Sequence, residues 1–361
     1  MEISWSIAIL LGQLLFNSVN SKRYHYEREC QCTPSKLWLD VVVLFDNSLS
    51  MEEYELGLML AETSTILDPA TISRGEGHHC RVGTITYGGD AKIRIWEIGM
   101  ANDSTKSLTA GLLAADQVFR EGRVNGLRKN VKEVIIVYAT DFNGRHLEGA
   151  KELAHQLKKS GKNIIIVAFE QGGSGASELM QIASEGFYFT NRIPNLAGEI
   201  QHALCDVNCF CYEIWVQYKL DDINYGSCLR IGGFKLDWEN AHDACKHLSR
   251  GRGHLATAFD IGKHNFTAML IRNDPRIGAP YKCHIGSDPE KICLKNTALP
   301  LMWNQGFPDL RGNAKCVLLT AQTSAELELG WQNEVCNSWS ARHHYVCQMD
   351  ACDTDNYCLP N

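Results

Sequence analysis

The sequence predicts an α/β protein: a doubly wound, mainly parallel sheet followed by a disulfide-stapled α+β unit. Three observations carry this. Buried-strand runs alternate with helical patterns from Leu37 to about Cys205, that alternation then stops, and cysteines crowd the chain beyond it. Strands separated by helices at such spacing imply a parallel sheet covered on both faces. A cysteine-dense stretch with little regular pattern implies a small fold that bridges must hold together. A length of 361 residues fits about two such domains.

The opening residues come first. Residues 3–16 are apolar apart from Ser and Gln, and Val19 and Ser21 suit a signal-peptidase site. The run is shorter than the ~20 apolar residues a membrane span needs. A signal peptide over 1–21 is therefore expected, although Glu2 stands where a basic residue is usual. Fifteen cysteines also point to an oxidising compartment, hence to a secreted, extracellular chain. The sequons at Asn102 and Asn265 are compatible with export as a glycoprotein. A formal charge of −7 without a basic block excludes nucleic acid as the expected partner. No Gly-x-x-x-x-Gly-Lys, Gly-x-Ser-x-Gly or His-Glu-x-x-His motif occurs, so no enzyme is expected.

After a Cys-x-Cys segment (22–36), residues 37–205 read as the first domain. The run 37–46 is an almost continuous apolar strand, and 51–66 an amphipathic helix. Strands at 82–87 and 92–98 suggest a hairpin around Gly88-Gly89. A helix from Leu108, strands at 133–139 and 163–169 with a helix at 147–159 between them, a short strand near Phe187 and a helix to about Leu204 complete the alternation. In such sheets ligands bind beyond the carboxyl ends of the strands.

At the end of the first strand stand Asp46, Ser48 and Ser50, and at the end of the 133–139 strand stands Thr140-Asp141. Ser107 and Thr109 open a helix between them. Carboxylates and hydroxyls are hard donors that suit Mg²⁺ or Mn²⁺ far better than zinc. With so few carboxylates, an acidic group of a protein ligand can complete the ion's shell. The competing reading is that Asp46 and the serines only cap the helix beginning near Met51. His78, His79 and Cys80 lack a partner cluster and read as loop residues. The segment resembles a von Willebrand factor type A domain, and the pattern matches that family's metal-ion-dependent adhesion site. The resemblance assigns Asp46, Ser48, Ser50, Ser107, Thr109 and Asp141 to the metal. Ser107 replaces the usual Thr, and Phe142 stands where Gly is usual.

The second unit, 209–349, shows one convincing amphipathic helix at 237–248 and then Trp-rich, loop-rich sequence. Trp238 to Cys245, His254-Leu255-Ala256-Thr257, Trp303, Gly306-Phe307-Pro308-Asp309, Cys316, Trp331-Gln332-Asn333-Glu334-Val335-Cys336 and Tyr345-Val346-Cys347 resemble a C-type lectin-like domain. That resemblance implies Cys245–Cys347, Cys316–Cys336 and Cys211–Cys228 bridges. Cys283–Cys293 is suggested as a local extra bridge, and Cys352–Cys358 in the tail of residues 350–361. The family's sugar-binding Ca²⁺ rests on Glu-Pro-Asn or Gln-Pro-Asp and Trp-Asn-Asp. Here Phe307 offers no oxygen and Asn333 no charge. No standard calcium cage is expected, and Asp309, Gln332, Asn333 and Glu334 keep a little donor potential. Trp303 and Trp331 then read as core.

Five cysteines remain, Cys30, Cys32, Cys80, Cys205 and Cys209. Domain termini lie close together often enough that Cys30 or Cys32 bridging to Cys205 or Cys209 is expected. The odd count leaves a free thiol, for which Cys80 is the candidate, or a disulfide-linked dimer. The module order looks like that of secreted nematode lectin-like proteins. It implies an extracellular recognition protein of innate defence with a protein or glycan ligand. The rival expectation is a structural matrix component.

Overall fold

The computed structural model describes residues 28–358 except 49–52, 76, 89, 95–106, 124–127, 129, 141–146, 170–175, 213, 222, 259, 287–301, 310–311, 324–327 and 338. The expected signal peptide lies outside these residues, as do Ser50, Asp141, Asn102 and Cys293.

In the first unit the strands are Leu39–Phe45 (β1), Arg81–Gly88 (β2), Asp90–Arg94 (β3), Lys132–Thr140 (β4), Asn163–Phe169 (β5) and Tyr188–Thr190 (β6). The helices are Glu53–Leu67 (α1), Leu108–Gly122 (α2), Glu148–Lys159 (α3), Ala176–Ile182 (α4) and Leu196–Asn208 (α5). The sheet order is β3-β2-β1-β4-β5-β6, parallel except for the β2–β3 hairpin, which closes at Gly88 and Asp90. β3 ends at Arg94, short of the expected 98, and the residues beyond lie outside the described set.

All seven residues of β1 are buried. Its alternation feeds two cores. Val41, Val43 and Phe45 pack on one face with Leu56 and Met59 of α1 and Ile200 and Leu204 of α5. Val42 and Leu44 pack on the other with Leu112 and Phe119 of α2 and Ala154 of α3. Each such Val, Leu or Ile contributes about 1.5–3 kcal/mol by leaving water, so the central strands hold this domain together. From β1 the chain winds first to β2 and β3, then crosses back to place β4 on the other side of β1. That reversal opens a crevice beyond the carboxyl ends of β1 and β4.

The second unit contains Val216–Leu220 (β7), Ile223–Ile231 (β8), Trp238–Leu248 (α6), His254–Leu255 (β9), Ile261–Asn273 (α7), Cys283–Ile285 (β10), Cys316–Ala321 (β11), Leu329–Glu334 (β12) and His344–Asp350 (β13). Its sheet runs β12-β11-β10-β13-β8-β7, with β9 against β13. Trp331 is core, with Trp303 packed edge-on against it. The helix α6 starts where Asp237 accepts a hydrogen bond from the Asn240 N–H, a sound N-cap.

The helix α7 corrects the sequence reading, which expected loops there. Its buried face carries Lys263, His264 and Thr267 beside Ala268 and Ile271, so the apolar stripe is interrupted by polar residues. Lys263 is fully buried and donates from Nζ to Gln348 Oε1 at 2.8 Å. Asn265 is exposed on this helix.

Six disulfides join described cysteines: Cys30–Cys209, Cys32–Cys205, Cys211–Cys228, Cys245–Cys347, Cys316–Cys336 and Cys352–Cys358. Cys80 is a buried thiol. Cys283 is also a thiol, contrary to the suggested Cys283–Cys293 bridge. Its strand β10 lies inside the sheet, and its side chain joins the core of Ile271, Ile285 and Val317 rather than facing a loop. Burial pushes the Cys80 thiol up to about 11 and the Cys283 thiol higher still, so neither is reactive in the fold. Alkylation of the native chain should therefore label neither, while the denatured, unreduced chain should give at least two labelled cysteines by mass. A single labelled cysteine would restore the Cys283–Cys293 bridge.

The two units share a joint built from both ends of the described chain. Arg28 carries a salt bridge at 2.7 Å to Asp353, whose side chain is fully buried. The backbone N–H groups of Gln31 and Thr33 donate to the side chains of Asp353 and Thr354. Tyr357 stacks on His78 with centroids 4.0 Å apart and donates its hydroxyl to the Lys36 carbonyl. With Cys30–Cys209 and Cys32–Cys205 beside it, the tail is sewn to the base of the first unit.

Candidate metal centre and lectin-like face

β1 delivers Asp46 to the crevice. Phe45 pairs with Tyr138 of β4, and the Tyr138 carbonyl accepts from the Asp46 N–H at 3.2 Å and from the Tyr87 hydroxyl at 2.7 Å. This double acceptance pins the end of β1 against β4. Burial, followed by the charge of Asp46, raises the Tyr87 hydroxyl well above its ordinary range, so it stays a donor. Asp46 and Ser48 are fully buried, and Oδ1 of Asp46 accepts from the Ser48 N–H at 3.0 Å. Ser107 is the N-cap of α2, its Oγ accepting from the Ala110 N–H at 3.3 Å. Thr109 lies against the start of α3, where a Cβ on Gly149 would come within 3.3 Å of its Oγ1. The donor set of buried carboxylate and hydroxyls fits Mg²⁺ or Mn²⁺. Capping and ligation are compatible at Ser107, because a hydroxyl oxygen has two lone pairs.

Of the lectin-like candidates Asp309 and Asn333 meet, and Gln332 and Glu334 turn away from them. Along β12 burial alternates, so Asn333 points into the fold while Gln332 and Glu334 share the other face. Asn333 is consumed internally: Oδ1 accepts from the Asp309 N–H, and Nδ2 donates to the carbonyls of Asp309 and Ala314, each at 2.8 Å. Glu334 instead turns to His343, with 3.2 Å between Oε2 and Nε2. The side chain that corresponds to a calcium ligand thus clamps the loop. Restoring the family's Asp here by Asn333→Asp should aim a carboxylate at two carbonyls and cost about 3 kcal/mol or more. Chemical denaturation checks this, with no Ca²⁺ stabilisation in compensation. The histidine partners of Glu334 escaped the sequence reading because they come from β10 and the residue before β13, far apart in the chain.

Residues 94–203 match the von Willebrand factor type A domain family. With the strand order above, the first unit has the fold typical of that family. The matched span contains Ser107, Thr109 and Asp141, whereas Asp46 and Ser48 precede it and owe their place to β1. Across 92% of the chain, the sequence is 26% identical to C-type lectin domain-containing protein 160 of Caenorhabditis elegans. The chain spans 56% of that relative's length. Among solved structures, proximal thread matrix protein 1 from the mussel byssus, with a zinc-occupied MIDAS motif, is 19% identical. That similarity covers 48% of this chain and 47% of the mussel protein with a TM-score of 0.38. The snake venom toxin convulxin is 19% identical over 39% of this chain and 97% of its own, with a TM-score of 0.26. No helix among the described residues is long and apolar enough to cross a membrane.

Proposed function

We propose that this chain is a secreted, non-enzymatic recognition protein. Its type A domain holds Mg²⁺ or Mn²⁺ on Asp46, Ser48, Ser50, Ser107, Thr109 and Asp141 and so engages an acidic group of an extracellular protein ligand. The observation that carries this reading is the fully buried Asp46 carboxylate beside Ser48, at the carboxyl end of β1 where the strand order reverses. Six disulfides support an extracellular setting. The lectin-like unit presents a protein or glycan surface without the standard calcium cage, in keeping with a role in innate recognition. Calorimetric titration of the metal-stripped chain with Mg²⁺ and Mn²⁺ tests the metal. One equivalent bound, followed by metal-dependent capture of acidic protein ligands, supports the reading, and silence from both ions removes it. The sewn joint favours a second reading, a structural matrix component. Assembly that proceeds unchanged in chelator would select it.

A further inference from the structure

Two histidines and a glutamate meet in the lectin-like unit. The His284 side chain is fully buried in β10, and its Nε2 lies 3.0 Å from the carbonyl oxygens of both Leu236 and Ala341. Carbonyls only accept, so Nε2 carries the proton of the neutral ring and Nδ1 the lone pair. That Nδ1 is buried without a hydrogen-bond partner, and 3.7 Å away stands Glu334 Oε1, equally buried and unpartnered. Two acceptors facing each other out of water are costly unless a cation lies between them. The other carboxylate oxygen accepts from His343 Nε2 at 3.2 Å, and the two imidazole centroids are 5.2 Å apart.

We propose that Nδ1 of His284, the carboxylate of Glu334 and Nε2 of His343 form a site for a divalent ion of the Zn²⁺ class. Two imidazoles and one carboxylate are a three-ligand zinc donor set, unlike the hydroxyl-rich set at Asp46. Ligand atoms about 2.0–2.1 Å from a tetrahedral ion stand roughly 3.3–3.4 Å from one another. Glu334 Oε2 stands 3.2 Å from His343 Nε2 and its Oε1 3.7 Å from His284 Nδ1, so each carboxylate oxygen faces one imidazole near that spacing. The Leu236 and Ala341 carbonyls supply the outer contacts that fix the tautomer and aim of a ligating histidine. Burial, outweighing the nearby Glu334 charge, holds His284 below the ordinary histidine range and keeps its lone pair available. Among the described residues no three donors already surround one point. The Glu334 side chain, 23% exposed, is the one with room to turn and close the set.

The test uses the full chain carrying Asp46→Ala, which removes the type A carboxylate. Stripped with chelator and titrated, it should bind one equivalent of Zn²⁺ and give a tetrahedral Co²⁺ spectrum. His343→Asn and Glu334→Gln should each weaken Zn²⁺ by about a hundredfold, with the disulfide count and unfolding midpoint retained as proof of folding. No uptake by the Asp46→Ala chain, or uptake indifferent to both substitutions, overturns the site. Because Asp46 is absent throughout, either failure leaves the adhesion-site reading untouched.

Discussion

Asp46→Ala should reduce Mg²⁺ and Mn²⁺ binding by the full chain at least about a hundredfold, some 2.7 kcal/mol of binding free energy. The reason is charge: the expected ligand set holds two carboxylates, and one of them is Asp46. The side chain is fully buried, and Ser48 donates its N–H to it at 3.0 Å, so a neighbour cannot readily replace its oxygen. Asp46→Asn separates charge from shape, since the amide oxygen still accepts from Ser48. If the metal reading holds, Asn should bind nearly as poorly as Ala while folding like the parent. If Asp46 acts only as a turn and cap residue, both variants titrate like the parent and differ from it in stability alone. Titration calorimetry beside thermal unfolding distinguishes the two. Ser107→Ala makes a useful companion, because it also removes the α2 cap and should cost about 1 kcal/mol of stability.

The second large effect is expected at the joint. Asp353→Ala should destabilise the chain by about 3–5 kcal/mol, the usual consequence of removing one partner of a buried ion pair. The carboxylate is fully buried, with Oδ2 accepting from Arg28 at 2.7 Å and from the Gln31 N–H at 3.1 Å. Its Oδ1 accepts from the Asp355 and Asn356 N–H groups at 3.0 and 2.9 Å. Truncation leaves those donors without their acceptor. Hydrogen exchange should show the loss at residues 28–33 and 351–358 before it reaches β1. A uniform small change, or none, would mean that the disulfides alone hold the two ends together.

The first domain was legible because its strands are buried on both faces. Runs such as 39–45 and 163–169 leave little choice but a central parallel strand, and Asp46 follows the first of them directly. Less was legible in the second unit. The buried face of α7 holds Lys263, His264 and Thr267, the first two bonded to Gln348 and to the Leu329 carbonyl far off in the chain and the third to the Lys263 carbonyl of its own helix, so no apolar stripe announces the helix. Asn333 reads as a weak ligand in sequence, yet it is spent on Asp309 and Ala314, a use that depends on β12 facing that loop. Cys283 offered a plausible short bridge, but register within β10 turns its thiol into the core. The tail read as polar and short, and nothing local in it reveals that Asp353 is enclosed by residues from more than 300 positions earlier.

That enclosure bears on how two binding faces would act together. A flexible tether lets a second site search a volume, so many spacings on a target gain avidity. Here the covalent and ionic stitching between residues 28–33, the end of α5 and residues 351–358 leaves little slack. Avidity would be gained only on targets whose two epitopes repeat at one distance and one orientation. The joint would act as a ruler, selecting ordered surfaces over soluble single copies of the same groups.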